Sequence, residues 1–272
     1  MTAKDTVVVP ISDMHSGGST ALFPDSIRWF KHGNHTPNST QVEIFKHWMK
    51  CAESVAVDRK GKDMIIVVDG DSVDGNHHNT PQLTTILPNE QINIHIELMK
   101  AFMNTAKWND KTDKIYYVTG TEAHVEDNED IIGLRMKAEP NGNVHAWDEL
   151  QLIVNGKHIW FAHQGTSAGR GANQGNALRN WLKDIFTECV QEGNTPPDFI
   201  VTGHSHKPYY TPYCGRLNGD YHLVHGMICP SWQSKTRFGY KVAALQKNKI
   251  GMQWFTVTKD GHITQPKEMV MK

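Results

Sequence analysis

The strongest constraint on this chain is an alternation. Five short apolar runs, at residues 7–9, 64–68, 115–118, 159–162 and 199–201, are separated by segments in which apolar residues recur every three or four positions. Each run is continuous rather than alternating, as in strands covered on both faces. The pattern predicts an α/β fold, a parallel or mixed sheet with helices packed on it. Val42, Phe45, Met49, Ala52 and Ala56 mark one helical face, and Ile92, Ile96, Met99, Met103 and Ala106 a second. Leu178, Trp181, Leu182, Ile185, Cys189 and Val190 mark a third, which the breakers Gly193 to Pro197 bring to a stop. Pro10 cannot donate to a ladder, so the first strand is expected to end there.

Beyond Pro208 the helical spacing disappears. Residues 221–229, 240–246 and 252–258 read as strands with no helix between them, which predicts a second sheet packed on the first rather than a separate domain. No linker, repeat or low-complexity stretch divides the 272 residues, so 1–272 is expected to be a single domain, with long loops at 16–39 and 165–175.

Composition removes whole classes of function. Lys+Arg 28 against Asp+Glu 29 gives a net charge of -1, so no overall basic field attracts nucleic acid. The apolar runs fall far short of the roughly 20 residues of a membrane helix, and residues 1–13 lack a signal-peptide core. Cys51, Cys189, Cys214 and Cys229 form no CxxC pair, which argues against a cysteine zinc site or a disulfide framework and for a reducing, cytoplasmic compartment. What stands out is 16 histidines.

Their positions are informative. The first run ends in Ser12-Asp13-Met14-His15 and the second in Gly70-Asp71-Ser72-Val73-Asp74. The third ends in Gly120-Thr121-Glu122-Ala123-His124, the fourth in His163-Gln164-Gly165 and the fifth in Gly203-His204-Ser205-His206. Ligands of open α/β sheets bind beyond the carboxyl ends of the strands, and five successive strands here deliver acids and imidazoles to that edge. At a strand end residues i and i+2 point to one side, so Asp13 with His15 and His204 with His206 are expected to face one cluster. Gly70, Gly120 and Gly203 are expected to allow the turns. Mixed carboxylate and imidazole donors suit Mn, Fe, Zn or Ni, whereas Ca and Mg prefer oxygen. Seven candidates exceed one tetrahedral shell and fit two ions sharing a carboxylate, about 3.5–4 Å apart.

The ordered set DMH, GDSVD, a lone His163 and GHSH resembles the calcineurin-like metallophosphoesterase superfamily, over residues 13–206. The resemblance implies two packed mixed β-sheets flanked by helices, a four-layer sandwich. It implies a first ion on Asp13, His15 and His206, Asp71 bridging, and a second ion on His163 and His204. Two divalent ions follow, Mn2+ foremost, with Fe, Zn, Ni or Mg as alternatives. They would activate water to hydrolyse a phosphate ester. In that superfamily a GNH motif adds an Asn ligand and a His acid. Here Gly120-Thr121-Glu122-Ala123-His124 stands in its place, which makes Glu122 the replacement ligand and His124 the proton donor. Asp74 is expected to orient a ligand histidine. Arg170, in the glycine-rich loop, is a candidate phosphate binder.

The protein-phosphatase branch follows its GDxVD with an arginine, where this chain has Gly75. That favours phosphodiesters of nucleotide or nucleic-acid type as the substrate. A phosphomonoesterase is the alternative, and a non-catalytic scaffold member of the superfamily a further one. His77 and His78 are expected to be solvated, and most remaining histidines to be surface or core residues.

Overall fold

The computed structural model describes residues 3–25, 35–76, 82–122, 127–169, 171–236 and 248–271. Among the described residues there are ten strands and four α-helices. In chain order they are β1 (Thr6–Ile11), α1 (Ser39–Asp58), β2 (Asp63–Asp69), α2 (Pro88–Thr105), β3 (Lys114–Val118), α3 (Asn128–Met136), β4 (Leu150–Val154) and β5 (Lys157–Phe161). Then follow α4 (Asn176–Gln191), β6 (Phe199–Thr202), β7 (Tyr209–Leu217), β8 (Asp220–Ile228), β9 (Gly251–Val257) and β10 (Lys267–Val270).

Two mixed five-stranded sheets result, in the orders β10-β9-β1-β2-β3 and β4-β5-β6-β8-β7. β1, β2 and β3 run parallel in the first, as do β5, β6 and β8 in the second. The expected partition of strands was therefore different. The fourth and fifth runs join the second sheet, while β9 pairs antiparallel with β1 and β10 antiparallel with β9 at the edge of the first. Acids and histidines consequently come from facing ends of two sheets, not from one edge.

The pleat explains the layers. Val7, Val9 and Ile11 turn to one side, where Trp48, Cys51 and Val55 of α1 and Ile92, Met99 and Phe102 of α2 cover them. Val8, Val67 and Val118 turn to the other and meet Ile159, Phe161, Phe199 and Val201 of the second sheet. Phe199 and Phe255 stack there with centroids 4.2 Å apart. Leu178, Leu182 and Phe186 of α4 close the outer side of the second sheet over Ile200, Val224 and Ile228.

Several local expectations shift. Pro10 does not end β1, because the β1–β2 ladder runs on to Ile11↔Val68. β9 pairs only with Thr6 to Val8, so beyond Val8 that side of β1 needs no donor. The buried face of α1 is Ile44, Trp48, Cys51, Ala52 and Val55, about one position round from the expected stripe. Asn38 starts that helix with a capping box to Gln41. β7 was not expected, yet Asn218 and Gly219 both have positive φ and form its two-residue turn to β8. The expected strand at 240–246 lies outside the described residues, as do His77, His78, His124 and Arg170.

Candidate metal centre

Two groups of Asp and His side chains could each hold a metal ion, Asp13 with His15 and His206, and Asp71 with His163 and His204. All six follow the carboxyl ends of β1, β2, β5 and β6. Five of them, Asp13, His15, Asp71, His204 and His206, have left-handed backbone, with φ between 46° and 62°. An L-residue held there costs on the order of 1 kcal/mol, and such conformations collect at functional sites. This replaces the pleat argument for Asp13/His15 and His204/His206. The strands have already ended, and paired left-handed residues bring the side chains round instead.

In the first group Asp13 Oδ1 lies 2.9 Å from His206 Nε2 and 4.0 Å from His15 Nε2. The two imidazole Nε2 atoms are 3.3 Å apart. The other carboxylate oxygen of Asp13 accepts from Ser12 Oγ at 2.5 Å and from the His204 amide at 3.0 Å. Asp74 Oδ1 stands 3.1 Å from His15 Nδ1, within reach of a ligand histidine, and Gln233 donates to that same oxygen at 3.1 Å. Asn248 lies 2.9 Å from His206 Nδ1.

In the second group Asp71 Oδ2 is 3.2 Å from His163 Nε2. His163 Nδ1 donates to the Asp69 carbonyl at 2.7 Å, which leaves Nε2 as the atom facing Asp71. Thr121 donates its amide to Asp71 Oδ1 at 2.7 Å, and its Oγ1 is 3.3 Å from His204 Nδ1. The two groups adjoin. Asp71 Oδ2 lies 3.9 Å from His15 Nε2, and Asp13 Oδ1 lies 4.0 Å from His163 Nε2.

Three glycines allow this closeness. Gly70 has the positive φ expected of it, but Gly120 and Gly203 do not and serve by lacking a side chain. A Cβ on Gly120 would come within 2.2 Å of the Asp71 amide, and one on Gly203 within 1.9 Å of Ser12 Oγ.

Carboxyl groups crowd the site. Asp13, Asp69, Asp71, Asp74 and Glu129 are all buried. Among the described residues the one buried Lys or Arg is Arg59, which is bidentate to Asp113. Burial alone would raise the Asp13 pKa, but His206 and then His163 hold it low. Burial opposes charge on His163 and His15 as well. The Asp71 and Asp13 carboxylates outweigh it and raise His163, and Asp74 with Asp71 raises His15. Asp69, with no hydrogen bond to either side-chain oxygen among the described residues, is pushed up to about 8 by burial. Glu129 is pushed up to about 7 by burial and then by Asp71.

Six of the seven expected ligands thus come together. Glu122 does not, being exposed and in neither group. Ser12, Asp69, Thr121, Glu129, Gln233 and Asn248 support the site without having been singled out by the sequence. Ser12, Asp69 and Thr121 carried a signal, by lying in or beside the motifs. No protein-family model and no curated protein matches the sequence.

Proposed function

We propose that the chain is a binuclear metal-dependent phosphoesterase of the calcineurin-like metallophosphoesterase kind, acting on phosphodiesters of nucleotide or nucleic-acid type. One observation carries the reading: the buried carboxylates of Asp13 and Asp71 stand among four clustered histidines, and among the described residues the one buried Lys or Arg, Arg59, is engaged by Asp113 instead. Buried charge at that density is costly unless paired or bound to cations.

The donor set fits such ions. Asp13 Oδ1 and His163 Nε2 are buried without a hydrogen bond among the described residues, although potential partners stand 2.9 and 3.2 Å away. Atoms aimed at a common centre behave this way, whereas atoms aimed at each other would align. Mixed oxygen and nitrogen donors support Mn2+, with Fe, Zn, Ni or Mg as alternatives. When bound, two ions supply positive charge that acidifies water and stabilises a phosphoryl group during displacement.

The chain's own residues divide the remaining work. Asp71, in reach of both groups, is the shared carboxylate. Asp74 and the Asp69 carbonyl fix the orientation of His15 and His163. His204 is exposed and marks the side from which substrate enters. His124 keeps the proton-donor role its motif implies, and His124→Ala should slow turnover by about 10²–10⁴-fold while leaving ion binding intact. Gly75 follows the GDSVD motif where the protein-phosphatase branch has an arginine, which supports diesters. Four free thiols support a reducing, cytoplasmic compartment, and no described helix is long and apolar enough to cross a membrane.

The test is paired kinetics on p-nitrophenyl phosphate and bis-p-nitrophenyl phosphate, with Mn2+ and after chelation. The reading predicts Mn2+-dependent turnover that favours the diester. Monoester preference would overturn the substrate class. Absence of turnover in protein holding two ions would support a scaffold instead.

A further inference from the structure

Glu129 is buried in the first turn of α3, belongs to neither ligand group and has no part in the chemistry above. Its Oε1 accepts from the Ser72 amide at 3.1 Å and the Ser72 hydroxyl at 2.9 Å, and its Oε2 accepts from the Gly120 amide at 2.5 Å. Ser72 follows Asp71 and Gly120 precedes Thr121, whose amide donates to Asp71 Oδ1 at 2.7 Å. The contacts close a ring from Glu129 through Ser72, Asp71, Thr121 and Gly120 back to Glu129. The ring has no slack, since a Cβ on Gly120 would meet the Asp71 amide.

We propose that Glu129 is a positioning residue for the second ion, its carboxylate tying the loop after β2 to the loop after β3 so that Asp71 and Thr121 face His204. This rests on the binuclear reading and goes beyond it by naming what builds the second group. The chemistry requires a carboxylate of this length. A glutamine oxygen can replace one acceptor, but its NH2 would face the remaining N–H donor. An aspartate keeps the charge and loses the reach to both loops.

Mn2+ binding to the chelator-treated wild type, Glu129→Gln and Glu129→Asp, followed by calorimetry and by the spin-coupled electron paramagnetic resonance signal of an ion pair, tests this. The wild type should take two ions. Both variants should hold the first with unchanged affinity and bind the second about 10–100-fold more weakly, with the coupled signal lost at matched Mn2+. If Glu129→Gln does not fold, Ser72→Ala should show a smaller loss confined to the same ion. Two ions bound at wild-type affinity in Glu129→Gln, or equal weakening of both, would overturn the positioning role and leave the binuclear reading standing. Wild-type affinity in Glu129→Asp alone would replace positioning by charge. No ion in the wild type would end both.

Discussion

The two ligand groups are built from the same residue types but supported differently. In the first, each imidazole leans on another side chain, His15 on Asp74 and His206 on Asn248, with Gln233 linking further outward. In the second, the backbone does most of the holding, through the Asp69 carbonyl and the Thr121 amide. Among the described residues the His204 ring has one hydrogen-bond partner, the Thr121 hydroxyl at 3.3 Å, and it stands exposed, whereas His206 is half-buried. Outer partners raise ligand basicity and fix orientation, so on the proposed function the first group is expected to hold its ion more tightly than the second.

The largest effect expected is from the residue that joins the groups. Asp71→Asn should lower diesterase turnover by at least about 10³-fold and remove the second ion, read by kinetics and metal analysis together. Wild-type turnover in that variant would show the groups to be independent of it. His204→Ala should lose the second ion while the first remains, and loss of both would erase the difference between them. Asp74→Asn should act on the first ion alone, weakening it about 10-fold in calorimetric titration.

The smallest expected effect concerns the floor beneath the second group. His95 is fully buried, with Nδ1 3.2 Å from the Ser72 carbonyl and Nε2 3.1 Å from the Tyr117 hydroxyl, and burial pushes its pKa down to about 4 from 6.5. Above pH 6.5 neither the folded nor the unfolded form carries this proton. Below it the unfolded chain binds one that the native state refuses, so stability falls between pH 6.5 and 4, by up to about 3 kcal/mol. His95→Phe in chelator-treated protein should show a flatter decline over that window in urea denaturation. An unchanged slope would mean that His95 titrates normally.

Much of this molecule could be read from its residues because burial on both faces leaves continuous apolar runs. All five runs are strands, and the acids and histidines that end four of them converge. The assignment of strands to sheets could not be read, because β5 and β6 look like β1 and β2 along the chain and differ only in long-range pairing. The short helix α3 escaped notice for want of an apolar stripe, having only Ile132 and Gly133 buried besides Glu129. Glu122 sits in the expected motif yet is exposed and outside both groups, which its place in the sequence did not reveal. Glu129 and Asn248 reach the site through tertiary contacts alone, and no spacing announces them.

The central claim is that six side chains from four strand ends hold a pair of cations. Anomalous diffraction from crystals grown with Mn2+ tests it most directly. Two peaks about 3.5–4 Å apart are predicted, one within bonding distance of Asp13, His15 and His206, the other of His163 and His204, with Asp71 reaching both. A single peak, or none between these residues, would contradict it.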